Sequence, residues 1–537
     1  MSSLFKRVKR KSIKPKKLMA TIEESMEVEN DDIIYHSQEE NIKKIKETTG
    51  NSTDVVIRYL KIGKEEKVDA AIVYIAGIVD SQSINEFILE TLMASEETTI
   101  DMLEEKVVSI GKVNRIHEWK KLFLSLMAGE TILLVNEQHE CLTIEAKGGE
   151  TRQIQEPSTQ MSIRGPRDSF TETLETNIAL VRRIVKNPNL WVESMKIGRQ
   201  TKTDVAFMYI EGIANDKVVK EVRKRLKKID IDSILESGYV EQLIEDETMT
   251  TFPTIYHTER PDMVAGNLLE GRIAIFVDGT PFVLLAPAVF IQFFQAADDY
   301  YARFDIATAI RFLRVLTFFI SLVAPAVYIA ATTFHQEMIP TQLLVAIAAQ
   351  REAVPFPAFV EALIMEIAFE ILREAGIRMP KAIGSAISIV GALVIGQAAV
   401  QAGIVSPAMV IIVAITAIAS FSTPSFAIAV SARLIRFLFM ILAATFGFYG
   451  LILGIIMMIV HLCDLRSFGV PYMTPLAPFI PENAGDTVIR LPWWALRKRP
   501  KLIGSDDITR ESTTRPVPPR GKRMVKNSDS KGDTNES

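Results

Sequence analysis

Two long stretches without charge limit what this chain can fold into. Residues 382–430 contain no Asp, Glu, Lys or Arg across 49 positions, and residues 437–463 add 27 more such positions. Soluble domains do not contain runs of this length, whereas a helix that crosses a bilayer needs about 20 apolar residues. The first 280 residues carry an ordinary mixture of charged and apolar side chains. The sequence therefore predicts an aqueous N-terminal half and a membrane-embedded C-terminal half.

The charge distribution argues against nucleic-acid binding. The formal net charge is −4 and the sequence pI is about 6.0, so no broadly basic surface is expected. Eight Lys and Arg residues do cluster within residues 1–17, where they are followed by acidic residues rather than by the apolar core of a signal peptide. We expect residues 1–50 to be a disordered charged tail, with contact to anionic membrane lipid as the alternative, and the N-terminal half to stay cytoplasmic.

The N-terminal half contains an internal repeat. Residues 61–78 and 196–213 share 10 identities in 18 positions at a constant offset of 135. Each copy has an apolar, β-branched stretch that ends near a glycine, then a helical stretch (84–107 or 217–245), then a second apolar strand (131–136 or 273–279). Tandem α/β units fit this order, with a break near 147–170 where glycine and proline interrupt any element.

These patterns predict the fold class and the domain organisation. The chain should consist of an α/β soluble N-terminal region with two tandem repeated subdomains and an α-helical polytopic membrane domain with a broken or re-entrant segment. The predicted units are the tail at 1–50, subdomain 1 at 51–150, subdomain 2 at 165–280, a transmembrane domain at 281–480 and a polar, basic C-terminal tail at 481–537. The stretch at 279–296 is apolar enough to touch the bilayer as well.

Enzyme chemistry has little support in the sequence. No Walker phosphate-binding loop, dinucleotide-binding glycine motif, zinc-protease motif or nucleophile elbow occurs. Asp69 and Asp204 recur in the repeat, but an Asp directly before a strand is usually a cap or turn residue. Cys141 and Cys463 lie in different halves and the histidines are scattered. We therefore predict no enzymatic activity, no cofactor and no metal site.

The membrane half contains four stretches that can span a bilayer and one that cannot. The four are 315–334, 383–402, 408–430 and 437–460. Between the first two, a ten-residue apolar piece at 341–350 is too short to cross. It is followed by Pro355 and Pro357 and then by a second helical stretch from Ala358. Irregular backbone at membrane depth persists only inside protein or beside a water-filled cavity, so this broken segment is our candidate permeation path, with the two prolines as candidate hinges.

The broken segment also supplies the candidate pore-lining residues. Glu366 and Glu370 lie on one helix face at i and i+4, and Glu361 lies off that face. A carboxylate at bilayer depth costs about 2.5–3.5 kcal/mol unless it meets water or a partner, and acidic rings select cations. An amphipathic helix with Glu370 paired to Arg373 is the alternative. The remaining candidates, on the short helix and near the break, are Gln342, Ala346, Ala349 and Val360.

Loop charges predict which side of the membrane each loop faces. The loops at 373–381 and 431–436 carry basic residues and should lie inside, whereas 334–340 and 403–407 carry none and should lie outside. The basic tail from Arg490 onward should also lie inside. That placement conflicts with a last span that leaves outward. Either residues 469–481 return partway, or one span is miscounted.

Three longer stretches resemble a known family. GRIAIFVDGTPFVLLAP at 271–287, EILREAGIRMPKAIGSAISIVGALVIGQAAVQAGIVSP at 370–407 and LRSFGVPYMTPLAPF at 465–479 are similar to the A subunits of bacterial spore germinant receptors, the GerA family. PFP at 355–357 and PWW at 492–494 fit the same pattern. The resemblance extends over roughly residues 160–500.

The resemblance implies a multi-pass protein of the spore inner membrane with a cytoplasmic N-terminal region. It implies a receptor in which this A subunit works with a transporter-like B subunit and a lipoprotein C subunit, the nutrient binding mainly to B. It further implies a homo-oligomer, with five copies favoured, that forms a nutrient-gated channel for monovalent cations and triggers germination. A paralogue of the same family that acts later in the spore fits the motifs equally.

Two other classes of function remain open at this point. A non-conducting membrane scaffold or signalling subunit would use the repeated α/β module to bind a protein or small ligand, since clefts between subdomains are common ligand sites. A secondary transporter would place its site at the broken helix. The spans show no inverted repeat, so the transporter ranks last.

Overall fold

In the computed structural model, two antiparallel sheets in the N-terminal part of the chain are followed in sequence by a layer of long apolar helices. It describes residues 32–63, 67–80, 112–146, 156–378 and 394–504, except 158, 161, 484 and 501, together with Ile84, Leu92, Leu103, Glu104, Gly148, Thr509 and Arg510. The predicted fold class is confirmed: an α/β N-terminal region of two repeated units precedes a helical region.

The first sheet has five strands in the order β1-β2-β4-β5-β3, and every neighbouring pair is antiparallel. Two helices pack on one face, where Ile45 and Leu122 are fully buried. The bounds of these elements are α1 (Gln38–Thr48), β1 (Val55–Ile62), β2 (Val68–Ile75), β3 (Val113–Ile116), α2 (Trp119–Met127), β4 (Thr131–Val135) and β5 (Cys141–Ile144). Helix α1 forms within the stretch that we predicted to be a disordered tail, because its apolar side chains cover this sheet.

The second sheet repeats the same topology in the order β6-β7-β9-β10-β8. Its bounds and those of its helices are α3 (Leu174–Ile184), β6 (Leu190–Ile197), β7 (Thr203–Ile210), α4 (Asp216–Lys228), α5 (Ser237–Ile244), β8 (Tyr256–Thr258), α6 (Pro261–Leu268), β9 (Ile273–Val277) and β10 (Val283–Ala286). The strands predicted at 205–210 and 273–279 are β7 and β9. The predicted helix at 84–107 of the first copy lies outside the described residues except at four positions.

Strand β10 changes the interpretation of the stretch at 279–296. Its residues pair with β9 on one side and with β8 on the other, so they complete the second sheet instead of touching the bilayer. The α/β region therefore continues past residue 280, where we had predicted it to end. Residues 290–294 follow as a short 3-10 helix whose aromatic rings pack against Tyr472 and Phe318.

A buried ion pair joins the two sheets. The Arg182 guanidinium on α3 donates to both oxygens of Asp54, at 2.7 and 3.0 Å, and to the Ser52 hydroxyl at 3.0 Å. The same hydroxyl accepts from the backbone N–H of Val192 on β6 at 2.8 Å. Two-point contact to a planar carboxylate fixes orientation as well as distance. The repeated units are thus fixed to each other by directional contacts.

The helical layer consists of helices with different lengths and roles. Its bounds are α7 (Asp298–Tyr301), α8 (Phe304–Thr333), α9 (Thr341–Arg351), α10 (Ala358–Arg378), α11 (Pro407–Phe421) and α12 (Phe426–Asp464). Within the described residues, α8 and α12 are long and apolar enough to cross a membrane. The predicted span at 383–402 lies largely outside the described residues. The predicted span at 408–430 is wrong in its bounds, because Pro424 separates α11 from α12.

Helix α12 is not straight; it folds back on itself at Gly447. This residue has φ +62° and ψ −142°, which is left-handed backbone that favours glycine. A Cβ on Gly454 would approach the ring of Phe439 at 2.7 Å, and one on Gly450 would overlap the carbonyl oxygen of Leu442. Residues 8 and 15 positions apart are about 12 and 23 Å apart along one straight helix, so such contacts require two antiparallel arms. We call residues 426–446 the first arm and residues 448–464 the second arm.

The hairpin returns the chain to the α/β region. Ser431 on the first arm donates to the Thr251 carbonyl, and His461 on the second arm contacts the Thr250 hydroxyl at 2.9 Å. The hairpin tip at Gly447 lies instead against Phe334 and His335, at the far end of α8. The small side chains at Ala443, Gly450 and Gly454 allow the close approach of the arms. What we predicted as one span at 437–460 therefore contains the turn between two arms.

The C-terminal segment packs against the second sheet. The Ser467 hydroxyl donates to the Thr254 carbonyl at 2.6 Å, and the Tyr472 hydroxyl donates to the Pro253 carbonyl at 2.8 Å. Further along, Gly504 bridges to Ala214, and the side chain of Ile503 is buried. Residues 485–504, which we predicted to be a polar tail, are thus part of the folded structure as far as they are described.

The second sheet contains a carboxyl group that should make its stability depend on pH. Burial, followed by the nearby Glu245 and Glu236 carboxylates, raises the pKa of Glu241 on α5 to about 7. A folded-state pKa above the unfolded one favours folding at low pH, and this contribution is lost as pH rises through the folded value. In the full-length protein, hydrogen exchange of residues 237–244, corrected for intrinsic rates, should show about tenfold less protection at pH 8 than at pH 6.

Replacing Glu241 with Gln should abolish this pH dependence, whereas replacing the exposed Glu175 with Gln should leave it unchanged. His257, whose Nδ1 lies 3.9 Å from the Glu241 carboxylate, has a pKa lowered by burial, which favours its neutral form. Equal protection at the two pH values in the unmodified protein would contradict the assignment.

Candidate functional site in the helical layer

Helix α10 and the first arm of α12 run antiparallel and are joined by two ion pairs. The Glu366 carboxylate lies 3.1 Å from Nη1 of Arg436, and the Glu370 carboxylate lies 2.6 Å from Nη1 of Arg433. Glu366 and Arg436 are almost fully buried, whereas the Glu370 side chain is 41% exposed. The i, i+4 spacing of the acids matches the i, i+3 spacing of the bases on the facing helix. Both carboxylates are thus paired with arginine side chains of their own chain.

Glu361, the third carboxylate, joins three parts of the layer. Its side chain is fully buried, its Oε1 lies 3.2 Å from Nε of Arg351 at the end of α9, and its Oε2 accepts from the backbone N–H of Ser406 at 3.0 Å. Ser406 is the N-cap of α11 and accepts from Met409 through its hydroxyl. The break at Pro355 and Pro357 is therefore bridged by an ion pair between the helices on either side of it.

The remaining candidate residues lie on the surface of the single chain. Gln342, Ala346 and Ala349 on α9 are exposed, and Val360 at the start of α10 is half-buried. Helix α9 has no buried residue at all. Gln342 and Ala346 face the same side together with Ala349, since they are four and three residues apart. The helix that we predicted to line a pore thus has a polar and small-residue stripe that the described part of its own chain leaves exposed.

Two arginines that the sequence led us to place in a loop belong to this site. Arg433 and Arg436 lie within α12, where they pair with α10, and the predicted loop at 431–436 is wrong. The signal was present in the sequence, since two bases spaced i, i+3 complement two acids spaced i, i+4 on another helix. Arg373 also contacts this cluster: it lies 3.6 Å from Glu370, as the alternative interpretation of α10 required, and donates to the Ser420 hydroxyl at 2.8 Å.

A second cluster of ion pairs fixes the N-terminal part of α8 to the C-terminal segment. Arg311 donates from Nε to Asp299 at 3.0 Å and from Nη1 to Asp486 at 2.8 Å. Arg314 donates to the same Asp299 oxygen at 2.7 Å, and the Tyr300 hydroxyl donates to Asp486 at 3.1 Å. We had not identified this cluster, because its members come from positions about 190 residues apart in sequence and no spacing relates them.

The directions in which the helices run across the helical layer are consistent with one another. Helix α8 begins at the α/β region and ends beside Gly447, and α10 and α11 both run from the Glu361 level to the Arg373 level. The two arms of α12 bring the chain back, so the C-terminal segment lies on the same side as the α/β region. Of the two explanations for the conflicting loop charges, this return of the chain favours the miscounted span. Among the described residues, no group of three His, Cys, Asp or Glu side chains is arranged to bind a metal ion.

The chain is similar to proteins of one family along most of its length. Residues 43–502 match the family model described as Bacillus/Clostridium GerA spore germination protein. The chain is 63% identical to spore germination protein KA of Bacillus subtilis (strain 168) over 508 residues, which covers 94% of this chain and 93% of that protein. It is 39% identical to spore germination protein GerLA of Bacillus cereus, covering 89% of this chain and 97% of that protein.

Two further similarities concern a membrane protein and a solved structure. The chain is 46% identical to the uncharacterized membrane protein YfkQ of Bacillus subtilis (strain 168), covering 88% of this chain and 93% of that protein. It is 54% identical to the crystallised N-terminal domain of the A subunit of the Bacillus megaterium spore germinant receptor GerK3. That match has a TM-score of 0.40 and covers 49% of this chain and 99% of that domain.

Proposed function

This chain belongs to the GerA family of spore germination proteins and is a germinant receptor A subunit, and from that premise we propose that copies of it assemble around a pore for monovalent cations. The single observation that carries the proposal is the state of α9. This helix is too short to cross a bilayer, it buries no residue in its own chain, and its stripe contains Gln342. A polar stripe at membrane depth requires water or a neighbouring chain against it.

In the proposed assembly, Gln342, Ala346, Ala349 and Val360 line the pore. The carboxylates have different roles. Glu361 and Glu366 are buried against Arg351 and Arg436, so they form the frame that holds α9 and α10 in place. Glu370 is partly exposed and is the acidic side chain placed to meet ions at the end of the pore nearer the α/β region. Pro355 and Pro357 act as hinges, if the ion pair that bridges them breaks when the pore opens.

The cellular arrangement follows from the same proposal. The α/β region and the C-terminal segment lie on the cytoplasmic side of the spore inner membrane, where the basic residues of the Arg373–Arg378 end of α10 also lie. A transporter-like B subunit and a lipoprotein C subunit complete the receptor, and five A subunits form the ring. Ligand binding to a partner opens the pore only if the ligand binds better to the open assembly than to the closed one.

Ion flux through liposomes tests the pore. The purified chain should pass K⁺ or Na⁺, and Ala346→Trp should reduce the flux by about tenfold or more, because a constriction of large apolar side chains excludes water. Ala348→Trp is the matched control: Ala348 is also exposed but lies about 160° away around α9. Equal flux in the two variants would refute the assignment of the stripe, and the absence of flux in the unmodified protein would favour the non-conducting scaffold.

A further inference from the structure

The first eleven residues of α8 extend beyond the part of the helix that fills the bilayer core. Arg314 is the last charged residue of α8, and the 19 residues 315–333 contain no charge. These 19 residues rise about 28 Å as a helix, which matches a hydrocarbon core of about 30 Å. The far end of α8 lies beside Gly447, so residues 304–314 lie at the level of the lipid headgroups on the side of the α/β region.

This headgroup-level part of α8 has apolar side chains on its surface. Phe304 and Phe312 lie about one turn before and one turn after Thr308, and the described part of the chain leaves both exposed. The exposed stripe continues from Phe312 into the span at Leu316 and Phe319, which are four and seven residues further along. The apolar surface at the headgroup level is therefore continuous with the surface that α8 presents inside the membrane.

Part of the C-terminal segment lies against the same turn of α8. The Arg490 backbone N–H donates to Oγ1 of Thr308 at 3.1 Å, and this hydroxyl lies 3.2 Å from the Arg490 carbonyl oxygen. The buried Arg490 side chain donates to two backbone carbonyl oxygens just before the first residue of α8, each at 3.3 Å. Because Arg490 is directed inward, its neighbours Ile489 and Leu491 are exposed beside α8.

The segment continues with two tryptophans and a basic run. Trp493 and Trp494 are 47% and 36% exposed, and residues 490–501 contain five basic residues and no acidic one. Tryptophan is enriched at membrane interfaces, since its ring is apolar and its indole N–H is polar, and clustered basic residues are attracted to anionic lipid. We call the exposed apolar surface of this region the α8 patch; it consists of Phe304, Phe312, Ile489, Leu491, Trp493 and Trp494.

We propose that the α8 patch lies in the headgroup layer of the bilayer and binds anionic phospholipid there. The apolar side chains pack against the upper parts of the acyl chains, and the basic run at 497–499 contacts lipid phosphates. A second copy of the chain is the other occupant to consider. The level of the patch, its continuity with the membrane span and its combination of tryptophan with basic residues favour lipid. The proposal depends on α8 crossing the membrane and does not depend on the pore.

Quenching of tryptophan fluorescence by brominated phospholipid tests the patch in the full-length chain reconstituted into vesicles. The chain has four tryptophans, of which Trp119 and Trp191 lie in the α/β region. Brominated acyl chains should quench the unmodified protein, and Trp493→Phe with Trp494→Phe should abolish this quenching while the patch stays apolar. Trp119→Phe is the matched control and should leave the quenching unchanged. Quenching that persists in the double variant would overturn the proposal, and so would its absence from the unmodified protein, which would indicate that another chain covers the patch.

The headgroup preference is measured in mixed vesicles of phosphatidylcholine and phosphatidylglycerol in which one of the two lipids is brominated. At equal mole fraction, brominated phosphatidylglycerol should quench more strongly than brominated phosphatidylcholine, and added salt should reduce the difference. Arg497→Gln should lower the relative affinity for phosphatidylglycerol about fivefold, since one basic residue near the surface contributes about 1 kcal/mol. Lys43→Gln, at an exposed position of α1, is the matched control and should keep the preference. Equal quenching by the two lipids, or an unchanged preference in Arg497→Gln, would overturn the proposal whether or not the chain conducts ions.

Discussion

Replacing Arg436 with Leu is expected to destabilise the helical layer by about 3–5 kcal/mol. Arg436 and Glu366 are 2% and 1% exposed, so removal of the guanidinium leaves a carboxylate buried without its cation. Loss of one member of a buried pair costs far more than the pair itself contributes, because the remaining charge has neither water nor a partner. Unfolding of the detergent-solubilised protein by sodium dodecyl sulfate, followed by far-ultraviolet circular dichroism, measures the effect.

Two further variants show whether the effect comes from the unpaired charge. The double variant Arg436→Leu with Glu366→Leu should recover most of the lost stability, since well-packed apolar residues often replace a buried pair at no cost. Arg378→Leu disrupts an exposed pair with Glu374 on α10 and should change stability little. A double variant no more stable than Arg436→Leu would mean that the pair does not account for the effect.

The same variants separate two roles for Glu366. If the carboxylate belongs to the frame of the helical layer, the double variant keeps both its stability and the cation selectivity of the reconstituted protein. If it faces the pore in an assembly of several chains, stability recovers but selectivity changes, because an acidic ring has been removed. The buried geometry within one chain favours the first result.

The sequence predicts the α/β region well because the same pattern of residues occurs twice along the chain. The constant offset between residues 61–78 and 196–213 indicates two equal units, and apolar stretches such as 205–210 mark the central strands. The edge strands β1 and β6 were not predicted. Their side chains are mostly half-exposed and mix charged with apolar residues, as in β1 with Arg58 and Lys61, so neither an alternating nor a continuous apolar pattern identifies them.

The membrane half was harder to predict because a hydropathy profile gives the length of an apolar stretch but does not show where the chain reverses direction within it. Residues 437–463 contain no charge, and a glycine within such a run does not by itself indicate a turn. The turn depends on the far end of α8, which contacts Gly447 from more than 100 residues away. We placed Arg433 and Arg436 in a loop for the same reason. A hydropathy profile along the sequence does not show that Glu366 and Glu370 face them.

Replacing Gly447 with Leu is expected to open or unfold the hairpin of α12. A Cβ at this position would lie 2.7 Å from Cε1 of His335 and 2.9 Å from Cβ of Phe334, and the positive φ is unfavourable for any residue with a side chain. The left-handed backbone costs about 1–2 kcal/mol, and overpacking adds about 1–3 kcal/mol. Gly396→Ala is the matched control, because its Cβ would meet Val410 at an ordinary 3.5 Å.

Thiol labelling from either side of the membrane reports the hairpin directly. The chain has two cysteines, of which Cys141 is buried and Cys463, near the end of the second arm, is exposed. In oriented proteoliposomes, a membrane-impermeant maleimide should label Cys463 from the α/β side, because the second arm returns there. Ile163→Cys and Met338→Cys, each with Cys463→Ser, mark the α/β side and the far side, since both positions are exposed.

The alternative is a continuous helix of 39 residues, about 58 Å long, which would carry Cys463 to the side labelled through Met338→Cys. Labelling of the unmodified protein from that side would contradict the hairpin and restore the conflict between the last span and the basic C-terminal segment. In Gly447→Leu, partial labelling from the far side is expected, to the extent that the arms straighten. A variant that loses stability but keeps Cys463 entirely on the α/β side would show that contacts at the α/β region, such as the one between Thr250 and His461, determine the reversal.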